Sequence, residues 1–132
     1  MKEFKVIISG PKNFSDYKFL KSKCDIILSR KLKDPDCKVI IMSGCTSGCD
    51  LLGEKYAKER GLSVQKFPAD WNRIGKRAGL LRHKRMAKES NACILFFMSG
   101  GDDLNRPTKT LLSISKEEKL LIREIEYPSS ET

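Results

Sequence analysis

One stretch of the chain decides the fold, Val39-Ile40-Ile41-Met42-Ser43-Gly44-Cys45-Thr46-Ser47-Gly48-Cys49-Asp50. It starts as an apolar run, continues through a turn with two glycines, and leads into a helix-like segment that reaches Arg60. This arrangement favours anion binding, because glycines let the backbone approach a phosphate and a helix N-terminus presents free N–H groups. The stretch therefore predicts a protein that binds a nucleotide or another phosphorylated ligand.

Working outward, strand-like and helix-like segments alternate along the whole chain. The predicted strands are Phe4–Ile8, Lys38–Met42, Leu62–Phe67, Ala92–Phe97 and Leu120–Ile125. The predicted helices begin at Ser15 or Asp16, at Asp50 (ending before Gly61), at Ala78 and at Thr108. Such alternation predicts an α/β, three-layer Rossmann-like fold, with a mainly parallel sheet of about five strands and helices on both faces. We expect one domain over residues 1–127, a frayed tail over 128–132, and a central, fully buried position for the apolar strand Ala92–Phe97.

Three loops with unusual chemistry follow predicted strands: Ser9–Phe14, Ser43–Asp50 and Met98–Thr108. Because parallel strands end at the same edge of a sheet, these loops are expected to converge there. That edge is the predicted ligand site.

The composition is that of a soluble globular chain, with 33% charged and 39% hydrophobic residues among 132. No apolar run approaches the ~20 residues that cross a bilayer, and no signal-peptide pattern opens the chain. We therefore expect a cytoplasmic protein with no membrane partner. The five cysteines show no metal-binding spacing, so no metal is predicted, although Cys45 and Cys49 could share a metal or a disulfide. Small residues in tight positions of a reducing compartment are the favoured interpretation.

The formal net charge is +9, and much of the excess lies within residues 73–85. Such a balance suits nucleic acid, or a pocket for an anionic small molecule. A solvated helix face explains a charge run equally well, so the two interpretations stay open.

The glycine motif alone is not specific. Gly44 and Gly48 are four residues apart, which fits neither the dinucleotide fingerprint nor a P-loop. A longer pattern resembles the core motif of the DUF2493 family, the YspA-like branch of the SLOG superfamily. That pattern comprises Ser43-Gly44, Gly48, Asp50, Leu52-Gly53-Glu54, Tyr56-Ala57 and Glu59-Arg60-Gly61, then Phe67-Pro68-Ala69-Asp70-Trp71, Gly75-Lys76, Ala78-Gly79, Arg82 and Met86-Ala87.

The first loop, with Ser9-Gly10 and Phe14, and the late segment Thr108-Lys109-Thr110 resemble further elements of the same family. The superfamily is related to the DNA-processing protein DprA and to the Lonely Guy phosphoribohydrolases. The resemblance implies a Rossmann-like sheet with a pocket for a nucleotide or an ADP-ribose-like molecule. It also implies a possible homodimer, because relatives commonly pair.

The chain departs from the family pattern inside the loop, which typically reads S-G-G-A-R-G-A-D. Here Cys45, Thr46, Ser47 and Cys49 replace its second glycine, first alanine, arginine and second alanine. Loss of the arginine removes a bidentate anion contact, which the hydroxyls of Thr46 and Ser47 replace only in part. Pro107 stands where relatives have glycine and has no N–H to offer a ligand.

The resemblance to Lonely Guy enzymes does not extend to their catalytic glutamate. Leu111 stands three residues after Thr108, where those enzymes carry it. Hydrolysis of an N-glycosidic bond needs a carboxylate near the ribose. Glu54 is the candidate carboxylate, with Asp50, Asp70, Asp102 and Asp103 as others. Arg82 is the second candidate catalytic residue, because the resemblance implies an arginine that acts with the carboxylate.

The candidate ligand-binding residues come from the three loops and the basic segment: Gly10, Lys12, Ser43, Gly44, Thr46, Ser47, Gly48, Asp50, Asp70, Trp71, Lys76, Arg82, Gly100 and Thr108. Several have a structural alternative. Asp50 is predicted as the N-cap of the second helix, and Thr108 either caps a helix or donates to phosphate. Trp71 either stacks on a base or fixes its loop, and Glu54 either faces the pocket or forms a surface ion pair. Arg82 is the favoured phosphate contact.

Three functions are compatible with these features. The favoured one is binding of a nucleotide-type ligand, for sensing or sequestration, at the carboxyl edge of the sheet. An N-glycosidase acting on nucleoside monophosphates is the first alternative. Nucleic-acid binding of the DprA kind is the second.

Overall fold

The computed structural model describes residues 2–45, 48–69, 72, 75–99 and 106–127. The strands are β1 (Lys2–Ser9), β2 (Cys37–Ser43), β3 (Ser63–Lys66), β4 (Ala92–Met98) and β5 (Leu121–Tyr127). The helices are α1 (Tyr17–Ile27), α2 (Ser29–Lys33), α3 (Cys49–Arg60), α4 (Ala78–Glu89) and α5 (Arg106–Glu117), with a 3₁₀ turn at Gly75–Arg77 before α4. Every strand pair is parallel, which confirms the predicted α/β class.

The strand order is β3-β2-β1-β4-β5. The chain moves outward from β1 to β3, then returns to the other side of β1 with β4, so its direction reverses between β1 and β4. In open parallel sheets, ligands bind outside the carboxyl ends of the strands near such a reversal. The interior position of β4 was predicted, but its central place was wrong, because β1 is the middle strand and β4 lies beside it.

Two apolar clusters separate the sheet from its helices. On one face, Val6, Ile8 and Ile41 pack with Tyr56 of α3 and Leu20 of α1. On the other face, Ile7, Met42 and Leu95 pack with Met86 of α4 and Leu111 of α5. Alternate strand residues thus face different helical layers, as the pleat requires.

The helix starts differ in part from those predicted. Asp16 is the N-cap of α1, where its side chain accepts a hydrogen bond from the Phe19 N–H at 3.1 Å. A short helix that was not predicted, α2, follows α1 directly after Leu28. Gly61 ends α3 with φ +68°, in the left-handed conformation expected of a glycine at that position.

The predicted N-cap role of Asp50 was wrong. The helix α3 begins at Cys49 with Gly48 as its N-cap, which places Asp50 in the first turn. This shift matters for the site, because it turns the Asp50 carboxylate from a cap into a group that contacts β1.

Candidate functional site

Ser43 is the last residue of β2, and its hydroxyl forms two hydrogen bonds. Its Oγ donates to Oε2 of Glu54 at 2.5 Å and accepts from the Cys45 N–H at 3.1 Å. The other carboxylate oxygen of Glu54 lies 3.7 Å from Nζ of Lys66, which follows on β3. Glu54, a candidate for catalysis or an ion pair, therefore makes both the ion pair and a contact that closes the loop. Ser43 is almost fully buried and has a structural partner on each side.

Cys45 has φ +64°, a conformation that L-residues seldom adopt. The family that the sequence resembles has glycine at this position, and glycine takes this conformation without the steric cost of a Cβ. The chain thus holds a strained, half-exposed cysteine directly after Gly44. Such strain persists where the surrounding structure enforces it, and it concentrates at functional sites.

The loop after β1 packs directly against the start of α3. A Cβ on Gly48 would lie 2.0 Å from the carbonyl oxygen of Lys12, and the N–H of Cys49 donates to the Pro11 carbonyl at 3.4 Å. One of the free N–H groups at this helix end is therefore used by the protein itself. Gly10 is also closely packed, because its Cβ would lie 2.9 Å from the Phe96 carbonyl oxygen of β4. Lys12 itself is exposed.

Asp50 is the buried acid of this edge, with 3% of its surface exposed. Its Oδ1 accepts a hydrogen bond from Oγ of Ser9, the last residue of β1, at 2.7 Å. A carboxylate in the first turn of a helix is stabilised by the helix dipole. Asp50 thus ties α3 to β1 and places a negative charge beside the glycine loop.

Arg82 supplies the opposing charge from α4. Its guanidinium is about nine-tenths buried, and Nη1 donates to the Gly44 carbonyl at 2.9 Å. A Cβ on Gly44 would lie 2.8 Å from Oδ2 of Asp50 and 3.5 Å from both Cζ and Nε of Arg82. The absence of a side chain at Gly44 therefore leaves room for both charged groups, one on each of two helices.

The buried Nε donor of Arg82 is not used by the protein in the described residues, where it has no hydrogen-bond partner. A buried guanidinium N–H without an acceptor costs free energy, which an added acceptor would recover. The neighbouring His83 is buried too, and burial together with the charge of Arg82 lowers its pKa to about 4. His83 is therefore neutral at pH 7, and Arg82 carries the positive charge of this pair.

The start of α5 contributes Thr108, the third residue of the helix. It is buried, and its Oγ1 has no partner within the described residues, so no capping bond from this hydroxyl is seen. Leu111, which stands where Lonely Guy enzymes carry glutamate, is fully buried in the apolar cluster beneath α5.

The structure brings together a large part of the predicted site at one edge. Arg82 reaches Gly44 from α4. Six other predicted residues lie at the ends of β1 and β2 or at the start of α3, namely Gly10, Lys12, Ser43, Gly44, Gly48 and Asp50. Thr46, Ser47, Asp70, Trp71, Gly100 and the side chain of Lys76 lie outside the described residues. Sequence reasoning placed Ser9 in the first loop of the predicted ligand edge but did not name it as a ligand-binding residue. Its position at the carboxyl edge, one residue before Gly10, was the available signal.

Within the described ranges, no group of histidine, cysteine and acidic side chains could hold a metal ion. Across the same ranges, no helix is long and apolar enough to span a membrane. All five cysteines are free thiols, and Cys49 is fully buried against Gly10.

The fold and this edge define the class, a Rossmann-like α/β protein with a Ser–Asp–Arg cluster beside a glycine loop. The sequence model of the YspA, cpYpsA-related SLOG family matches residues 4–74, and the chain belongs to that family. This confirms the resemblance seen in the sequence.

The X-ray structure of DNA processing protein A (DprA) from Streptococcus pneumoniae has a similar fold, with a TM-score of 0.52 and 12% sequence identity. The similarity covers 92% of this chain and 58% of DprA, so the chain spans a little over half of that protein. At this identity the likeness is one of fold. Among curated proteins, no sequence matches the chain significantly.

Proposed function

We propose that the protein binds a nucleotide or nucleotide-derived ligand at the carboxyl edge of its sheet. The observation that carries the proposal is Arg82, a buried guanidinium next to Gly44 with an Nε donor that lacks a partner among the described residues. Membership of the SLOG family and the Rossmann-like fold support nucleotide or nucleic-acid binding in general.

The electrostatics restrict where a phosphate group would bind. Asp50 is already at the start of α3, and a phosphate against it would meet like charge. Arg82 offsets that charge and offers its remaining donor near the Gly44 backbone. We therefore place the ligand phosphate on the Arg82 side of the Gly44–Gly48 loop. Lys12, Lys76, Thr108 and the hydroxyls of Thr46 and Ser47 are further proposed contacts, and Gly100, Asp70 and Trp71 would line the remainder.

Isothermal titration with nucleoside monophosphates and diphosphates, NAD and ADP-ribose tests the proposal. A ligand at a hundred times its dissociation constant should raise the free energy of unfolding by about 2.7 kcal/mol. No heat of binding and an unchanged melting temperature for every member would contradict it.

Variants at Arg82 separate binding from folding. Arg82→Lys keeps the positive charge but loses the planar donor fork, so affinity should fall by tenfold or more. Arg30→Lys makes the same change at an exposed position of α2 and serves as the matched control. The melting temperature of each free protein must be measured, because Arg82 also holds the Gly44 carbonyl. Equal affinity for wild type and Arg82→Lys would count against Arg82 as the phosphate contact.

The described residues do not favour N-glycosidic hydrolysis. Leu111 is in the core, and the carboxylates of Asp50 and Glu54 both accept hydrogen bonds from serine hydroxyls. Incubation with nucleoside monophosphates should therefore release no free base on chromatography. Release that disappears in Arg82→Ala would favour the hydrolase instead.

Nucleic-acid binding stays a second hypothesis because of the net charge of +9. It predicts an affinity for duplex or single-stranded DNA that falls steeply with salt. A homodimer and a cytoplasmic location also stay predictions from the sequence.

A further inference from the structure

The outer face of α4 carries an unusual mixture of side chains. Exposed cations and exposed leucines recur at helical spacing along it and in the preceding turn, namely Arg77 of the turn and Leu80, Leu81, Lys84, Arg85 and Lys88 of α4. Leu80 and Leu81 are 40% and 42% exposed, although both are large and apolar. No ion pair between described residues involves a cation of this face. We call this set the α4 stripe.

The stripe borders a shallow groove between α4 and α5, which pack side by side on the same face of the sheet. Leu80 and Lys84 line the groove from α4. The lining from α5 consists of Lys109, Thr110, Ser113, Ile114 and, at the end of that helix, the acidic Glu117. Ile114 is almost fully buried and forms an apolar floor, while the lysines stand at the rim. The lining residues extend from Lys109 to Glu117 on α5, so the groove runs for about 12 Å, or a little over two helical turns.

We propose that this surface binds an acidic amphipathic helix of a protein partner. An apolar ridge on that helix would cover Leu80, Leu81 and Ile114, and acidic side chains beside the ridge would pair with Lys84 and Lys88. The groove between two helices is the geometry in which a third helix buries its apolar face. The four exposed cations of the stripe favour a partner of opposite charge.

Other occupants fit less well. A second copy of the chain related by two-fold symmetry would bring the same cations together, which is unfavourable. Nucleic acid would pair with the lysines but would leave both leucines unused. No exposed aromatic ring for base stacking lies among the described residues of this stripe.

The experiment measures fluorescence anisotropy of a labelled 18-residue peptide against the whole protein. Its leucines recur at helical spacing and are flanked by glutamates, and a second peptide has the same composition in scrambled order. Wild type should bind the patterned peptide at least tenfold more tightly than the scrambled one. Equal binding of both would overturn the proposal, because charge alone would then explain it.

Protein variants test the location of the surface. Lys84→Glu with Lys88→Glu should weaken binding of the patterned peptide at least tenfold and restore binding of a peptide whose glutamates are replaced by lysines. Arg30→Glu with Lys33→Glu makes the same charge change on α2 and should change affinity less than threefold. Loss of affinity in both double variants would overturn the assignment to α4.

Three further measurements distinguish other occupants of the α4 stripe. Duplex DNA and vesicles of anionic lipid replace the peptide in parallel experiments, and light scattering follows self-association of the protein. Tighter binding of DNA or vesicles than of the patterned peptide would overturn the proposal. So would a dimer that Leu80→Ser disrupts, since the leucines would then serve a second copy of the chain.

Discussion

Replacing Gly48 with alanine should cost much more stability than the same change at Gly61. Both residues have positive φ, +71° at Gly48 and +68° at Gly61. A Cβ on Gly61 would have no atom within 4 Å, whereas a Cβ on Gly48 would lie 2.0 Å from the Lys12 carbonyl oxygen and 2.4 Å from its carbon. Those neighbours are backbone atoms, so they cannot rotate away. The ψ of −126° at Gly48 also lies outside the left-handed α region that other residues reach.

The two substitutions therefore differ in their cost in stability, because only the Cβ at Gly48 would meet neighbouring backbone atoms. For Gly61→Ala the cost is the left-handed conformation alone, about 1 kcal/mol. For Gly48→Ala, backbone strain of about 1–3 kcal/mol combines with a similar cost of overpacking, so we expect roughly 3–5 kcal/mol. Because a domain of this kind is stable by about 5–15 kcal/mol, the larger loss removes a substantial share of the total.

Urea denaturation followed by circular dichroism measures both variants, and unchanged m values show that the same surface unfolds. The melting temperature should fall by roughly 4 °C for Gly61→Ala and by 10 °C or more for Gly48→Ala. Equal losses would refute the reasoning, because the loop after β1 would then not lie against the start of α3. Failure to obtain folded Gly48→Ala beside well-folded Gly61→Ala would be the extreme form of the expected result.

Three further predictions concern single side chains. Cys45→Gly should raise the free energy of unfolding by about 1 kcal/mol, because glycine adopts φ +64° freely; an unchanged or lower melting temperature would contradict this. The pKa of His83 is about 4 in the folded state, below its unfolded value of about 6.5, so its contribution to stability is present above pH 6.5 and is lost as pH falls toward 4. Because of this residue, the free energy of unfolding should be about 2 kcal/mol lower at pH 5 than at pH 7.5. An ordinary His83 pKa in an NMR titration would exclude this contribution. Asp25 accepts hydrogen bonds from Tyr56 and Arg60, and the Arg60 bond lowers its pKa. Asp25→Ala should cost about 1–2 kcal/mol because it leaves the buried Tyr56 hydroxyl without its acceptor, and a combined Tyr56→Phe change should add little in urea denaturation.

The elements were predictable because the local signals are strong. Each strand is a short apolar run bounded by turn residues, and the observed bounds differ from the predicted ones by at most two residues. The strand order was less accessible, since β1 and β4 are both apolar and hydrophobicity does not say which is the middle strand. Periodicity also gave no sign of α2, a helix of only five residues that buries none of them.

The contacts of the site depend on topology more than on spacing. Ser9 and Asp50 are 41 residues apart, and Arg82 is 38 residues from Gly44. They meet because β1 and β2 are neighbours and α4 begins near the same edge. Asp50 has the residue type and spacing of an N-cap, but the Pro11 carbonyl accepts from the Cys49 N–H and the helix begins one residue earlier than predicted. A family resemblance could suggest Asp50 and Arg82 as companions of the loop, but it could not supply these partners.

Glycine is needed at Gly44 and at Gly48 for different reasons. The difference distinguishes a residue that the fold requires from one that the ligand site requires. At Gly48 a Cβ would meet the backbone of the neighbouring loop, so the residue type is explained without any ligand. At Gly44 it would meet the ends of the Asp50 and Arg82 side chains, which can move. Gly44→Ala should therefore cost only about 1–2 kcal/mol of stability. The added Cβ would displace the Asp50 carboxylate and fill the space beside Nε of Arg82, which should nevertheless lower the affinity for the best-binding nucleotide at least tenfold. A stability loss as large as that of Gly48→Ala, with affinity unchanged, would mean that Gly44 serves the fold and that the ligand binds elsewhere.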